Sequence, residues 1–161
     1  MKSYSPTDVS GLLFPATINL DLKSTDRETV LGELVHQIPQ LANEPEARLT
    51  LLRALHEREE LYSTGIGDGV ALPHARNALV GLVDQPIIVF GRSAAGIPFG
   101  AVDAQPAKLF FLLVAPTVTQ HLAILARLSR LMRDARLRQS LLSADKPEKV
   151  VEIIRKAESK Q

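Results

Sequence analysis

Cysteine is absent from this 161-residue sequence, which excludes disulfides, thiolate chemistry and Cys-type zinc sites and suits a reducing compartment. Charge of one sign is also missing. Nineteen Lys and Arg against eighteen Asp and Glu leave a net +1, without the broad basic field of a dedicated nucleic-acid binder. Aromatics are only 4%, too few to build a stacking platform for bases. Long apolar runs are lacking as well. The longest, Leu109 to Ala115, is far too short to cross a bilayer, so no membrane insertion is expected. No basic start followed by an apolar core marks a signal peptide, and the chain reads as cytoplasmic. Neither an internal repeat nor a low-complexity linker divides it.

What is present describes an ordinary globular protein: 45% hydrophobic, 23% charged, mean hydropathy +0.05, in a length that suits one domain over 1–161. Ile18 to Leu22 alternates and reads as a short edge strand. Ser24 to Glu28 offers a capping box with Thr25 as the cap and Glu28 three residues on. Behind it, Leu31, Leu34, Val35, Ile38 and Leu41 share a helical face that Pro39 should interrupt. A second helix starts near Pro45 and runs through Leu49, Leu52 and Leu55 into His56–Glu60. Strands follow at Val70–Leu72, Ile87–Phe90 and Lys108–Ala115, the last apolar throughout as a doubly covered central strand should be. A helix or turn of undefined length lies after His74, and Gly96 to Pro106 is a connection rich in turn formers. Helices from about Thr119 (inner face Leu122, Leu125, Leu128, Leu131), around 137–142, and from Asp145 complete the chain. The pattern predicts an α/β domain: a mixed sheet with helices on both sides, in α/β/α layers.

The chemistry concentrates in Leu61 to Arg76, LYSTGIGDGVALPHAR. Gly65, Gly67 and Gly69 permit positive φ and close approach, and Pro73 restricts the backbone immediately before His74. A neutral imidazole carries a free lone pair that can attack phosphorus and form a covalent intermediate. Phosphoryl transfer needs positioned donors more than acid–base machinery, and the loop amides with the Ser63 and Thr64 hydroxyls are candidates. Gly65-x-Gly67-x-Gly69 is not a dinucleotide fingerprint and no P-loop lysine accompanies it, so nucleotide binding is not expected. No histidine pair has metal-ligand spacing, and neither metal nor cofactor is implied.

Arg58 could grip two phosphoryl oxygens at once, though between Glu57 and Glu59 the residues alone fit a solvated helix arginine better. His121 follows an apolar strand at the start of a helix, a place for a functional group or for a simple cap. The arginines at 127, 130, 133, 136 and 138 are interleaved with leucines and read as the polar face of amphipathic helices, or as a docking surface for an acidic partner.

The run Arg58–Arg76, continued by KLFFLLVAP and His121–Leu128, resembles the signature of the type 2 EIIA domains of the phosphoenolpyruvate-dependent phosphotransferase system. The resemblance covers a core of about 12–157. It implies an α/β/α fold with a mixed sheet, phosphorylation of His74, stabilisation of the phosphoryl group by Arg58, and His121 beside His74. It further implies an HPr-like or NPr-like phosphocarrier as donor. Output would go to regulatory targets, in the nitrogen-regulatory branch, or to the IIB domain of a fructose- or mannitol-type permease. A module acting only by binding partners is the remaining alternative.

Overall fold

The computed structural model describes residues 8–76 and 81–160. Within them the chain forms β1 (Ile18–Asn19), α1 (Arg27–His36), α2 (Pro45–Leu61), β2 (Gly65–Gly67), β3 (Val70–Ala71), β4 (Ile87–Ile97), β5 (Ala107–Val114), α3 (Val118–Leu131), α4 (Ala135–Ser143) and α5 (Pro147–Glu158). The helix or turn anticipated after His74 falls partly on 77–80, outside the described residues.

One mixed sheet runs in the order β1-β4-β5-β3-β2. β4 and β5 are antiparallel, whereas β1 lies parallel to β4 and β3 parallel to β5. β5 shows why both faces must be covered. Phe110, Leu112 and Val114 enter one cluster with α1 and α2, and Leu109, Phe111 and Leu113 enter the other with α3, α4 and α5. Phe111 meets Phe90 edge to face at 5.1 Å and Phe110 meets Phe99 at 5.5 Å, so each layer has its own aromatic centre. Burying each such ring contributes about 1.5–3 kcal/mol.

The edge strand expected over Ile18 to Leu22 shortens to Ile18–Asn19, and four further local expectations shift. The cap of α1 is Asp26, whose carboxylate accepts the Thr29 amide at 2.8 Å; the Thr25–Glu28 box does not form. Glu33 takes the amide and hydroxyl of Ser24 at 2.9 and 2.6 Å, which holds the chain before Thr25 outside the helix. On α2 the buried stripe is Leu51, Leu55 and Glu59, while Leu49 is 55% exposed. On α3 it is His121, Ile124, Leu128 and Leu131, while Leu122 is 59% exposed. β4 continues to Ile97, well past Phe90, because it pairs along most of β5.

Two of the helical arginines face carboxylates of the protein itself. Arg127 lies 3.7 Å from Asp8 and 3.8 Å from Glu158, and Arg138 lies 3.9 Å from Asp68.

Candidate active site

β3 and β5 are parallel neighbours, so their C-terminal ends open on the same edge of the sheet. His74 lies just beyond β3, and Pro73 accepts the Leu113 amide at 3.0 Å as His74 pairs with Leu113 of β5. β5 runs on through Pro116 to Thr117, whose hydroxyl oxygen accepts the Gln120 amide at 3.2 Å and caps α3. One turn later α3 presents His121. Topology thus joins two histidines that are 47 positions apart in the sequence, and their rings sit 5.3 Å apart, edge to face.

His74 is half-buried. Its Nδ1 lies 2.6 Å from the Leu72 carbonyl oxygen. A carbonyl can only accept, so Nδ1 carries the proton and Nε2 keeps the lone pair. Burial pushes the imidazole down to about 4, opposed by the Leu72 hydrogen bond and assisted by the charges of His121 and Arg58. His74 is therefore neutral at pH 7. His121 is buried, and burial lowers its pKa as well.

Arg58 lies in the last turn of α2 and is half-buried; its Nη1 donates to the Tyr62 carbonyl at 2.5 Å, across the helix end. That bond folds the guanidinium back over the helix C-terminus, and its positive charge adds to the lowering of the His74 pKa.

The glycine loop is a tight turn between β2 and β3. Gly67, Asp68 and Gly69 have φ of 91°, 56° and 77°, three successive left-handed residues that only glycine tolerates freely at the outer two positions. Asp103 fastens the turn by accepting the Asp68 amide at 2.9 Å. Gly65 makes its close approach to the protein itself, since a Cβ there would stand 3.1 Å from Ala101. The two hydroxyls are also engaged internally. Ser63 donates to the Phe99 carbonyl and accepts the Gly65 amide at 2.9 Å, and Thr64 donates to the buried Glu59 carboxylate. In this state Ser63 and Thr64 shape the loop.

Glu59 was legible only as a neighbour of Arg58. The signal was its spacing: four after Leu55 and eight after Leu51, a carboxylate on an apolar stripe. Among the described residues, no group of three or more His, Asp or Glu side chains is arranged to hold a metal, and no helix is long and apolar enough to cross a membrane.

Eight large hydrophobics are exposed among the described residues, and six of them lie on α2, β2, α3 or the loops joined to them, the segments that carry or adjoin the site residues. Leu61 and Tyr62 follow Arg58, Ile66 lies on β2, Val102 is in the loop packed on Ser63 and Gly65, and Val118 and Leu122 flank His121. Exposed apolar side chains of this size, gathered on one face, are what a protein docking surface presents.

The family model described as "Phosphoenolpyruvate-dependent sugar phosphotransferase system, EIIA 2" matches residues 12–157. The fructose-specific EIIABC component of Bacillus subtilis is 36% identical over 148 residues, 91% of this chain and 23% of that protein. This chain thus spans about a quarter of that multidomain relative. The fructose-specific EIIA component of Haloferax volcanii is 34% identical over 150 residues, 92% of this chain and 95% of the relative. Among solved structures, the nitrogen regulatory protein IIA-Ntr of Neisseria meningitidis superposes with a TM-score of 0.78 at 30% identity, covering 91% of this chain and 98% of that one.

Proposed function

This chain belongs to the EIIA type 2 family of the phosphoenolpyruvate-dependent sugar phosphotransferase system, and we propose that it is a phosphoryl relay whose carrier residue is His74. The observation that supports this most directly is the Nδ1–H to Leu72 carbonyl bond of 2.6 Å, which leaves Nε2 as the nucleophile of a neutral imidazole.

The donor in this reading is a histidine-phosphorylated carrier of the HPr or NPr type, seated on the exposed apolar face. Nε2 of His74 attacks phosphorus, the bond from phosphorus to the carrier's imidazole nitrogen breaks, and its electron pair returns to that imidazole. Charge spreads over three phosphoryl oxygens in the transition state. Arg58 can hold two of them through its guanidinium edge, and His121 supplies an imidazole beside the reacting group. No proton is lost from His74 Nδ1 during transfer, because the phosphorylated imidazole can remain bonded to Leu72.

The proposed output is nitrogen-regulatory: phosphorylation adds about −1.5 to −2 charge to this apolar face and switches which partners dock there. The similarity to IIA-Ntr supports it. A second reading passes the phosphoryl group to a IIB domain of a fructose- or mannitol-type permease. It is favoured by the two fructose-specific relatives, one of which carries its A, B and C components in one chain.

The test is acid-labile labelling from phosphoenolpyruvate with enzyme I and a phosphocarrier. Native protein takes up one phosphoryl group and His74→Ala none; label on His74→Ala would overturn the assignment. Onward transfer to a purified IIB domain separates the second reading from the first.

A further inference from the structure

Glu59 is 4% exposed, on the inward face of α2 where Leu51 and Leu55 precede it. A carboxylate there loses its hydration, and burial raises its pKa despite the bonds it accepts. A leucine would satisfy the packing of this stripe without that cost, so the carboxylate calls for a role.

Its two oxygens are used separately. Oε2 accepts the Thr64 amide at 3.0 Å, and Oε1 accepts the Thr64 hydroxyl. The carbonyl of Thr64 accepts the Leu72 amide at 2.9 Å. The carbonyl of Leu72 in turn accepts Nδ1–H of His74 at 2.6 Å. Thr64 is held on both its amide and its carbonyl side, and so is Leu72. These bonds fall on different peptide units, so the series transmits position and not charge.

We propose that Glu59 is a positioning residue for His74: its buried carboxylate fixes Thr64, Thr64 fixes Leu72, and Leu72 sets the tautomer and direction of the imidazole. The proposal rests on His74 being the phosphoryl acceptor. Displacing a reacting group by about 1 Å costs on the order of 10²-fold in rate.

The test pairs phosphoryl uptake from a phosphocarrier with nitrogen NMR of the His74 imidazole. Glu59→Ala should lower kcat on the order of 10²-fold while KM for the carrier stays within about twofold, and the Nδ1–H tautomer should lose its dominance. Glu59→Gln should restore both. Its amide oxygen can accept the Thr64 amide while its NH₂ donates to Thr64 Oγ1, so the pairing survives without the charge. Native uptake and tautomer in Glu59→Ala would overturn the proposal. Equal losses in Ala and Gln variants, with the tautomer intact, would also overturn it by assigning the effect to charge. If Glu59→Ala does not fold, Thr64→Val decides. It removes only the hydroxyl and should slow uptake about tenfold by loosening one of two bonds; native behaviour would reject the chain. A native protein that takes up no phosphoryl group would instead remove the relay, and the tautomer comparison would still judge Glu59.

Discussion

The rings of His74 and His121 meet edge to face with centroids 5.3 Å apart, one held by the sheet edge and the other by a helix. Because His121 is delivered by α3 independently of the glycine loop, its removal should leave that loop in place. The expected result for His121→Ala is unchanged carrier binding with phosphoryl uptake slowed on the order of 10²-fold, the loss typical of one preorganised donor. Single-turnover uptake at saturating phosphocarrier measures it, and a native rate would take His121 out of the transfer step.

The depressed pKa of His74 gives two linked pH effects. With the folded imidazole near 4, the nucleophile stays neutral at pH 5.5, where an unperturbed histidine would be only about a tenth neutral. Uptake should therefore persist below pH 6 as far as the donor system allows. The same shift acts on stability. The unfolded chain takes up a proton below 6.5 and the folded one does not, so this contribution is present above 6.5 and is lost as pH falls toward 4. Glu59, whose pKa is raised, acts in the opposite direction above 4.5, so the His74 contribution must be read as a difference. The gap in unfolding free energy between native protein and His74→Gln should narrow from pH 6.5 to 4. Titration of the His74 ring proton near 6.5 by NMR would refute both effects.

The backbone restrictions of proline and glycine were readable from the sequence, whereas the Thr25–Glu28 cap and most of what depends on tertiary pairing were not. Pro73, Gly67 and Gly69 announce themselves because their backbone restrictions are intrinsic, and they mark the loop before His74 without any knowledge of the fold. The apolar length of Leu109–Val114 similarly announces a strand covered on both faces. α3 is different. Leucines at 122, 125 and 128 and the set His121, Ile124, Leu128 and Leu131 trace two overlapping stripes, and only the packing of α3 on the sheet chooses the second. That choice buries His121 beside His74 and leaves Leu122 outside. Glu59 was hidden for the same reason: a charged residue in HEREE looks solvated until its helix is docked.

Arg92 should be a stability residue with no part in transfer. Its Nη1 donates to the carbonyls of Leu141, Leu142 and Ala144 at 3.1, 3.2 and 2.6 Å, and Nε donates to Leu20 at 3.2 Å. One guanidinium thus satisfies the C-terminal carbonyls of α4 and ties them to β4 and the segment after β1. Arg92→Met keeps much of the stem and removes every donor. It should cost about 2–4 kcal/mol, lowering Tm by roughly 5–12 °C for a domain of this size. Labelling of His74 at 20 °C should be unaffected, and calorimetry alongside uptake separates the two.

The exposed apolar face predicts an affinity effect that leaves the chemistry intact. Leu122 is 59% exposed one position from His121, and its side chain projects away from the α3 stripe that packs on the sheet. In the free protein it contributes little to stability, so Leu122→Glu should shift Tm by no more than about 2 °C. On docking, the same position would have to bury a carboxylate against the carrier. A charge left desolvated and unpaired when the carrier buries it costs several kcal/mol, so KM for the phosphocarrier should rise at least about tenfold. At saturating carrier the uptake rate should return to native, because Arg58, His74 and His121 are untouched. Tyr62→Glu, at the C-cap of α2 and 78% exposed, should behave the same way if one partner covers both residues. An effect at only one of the two positions would confine docking to that position.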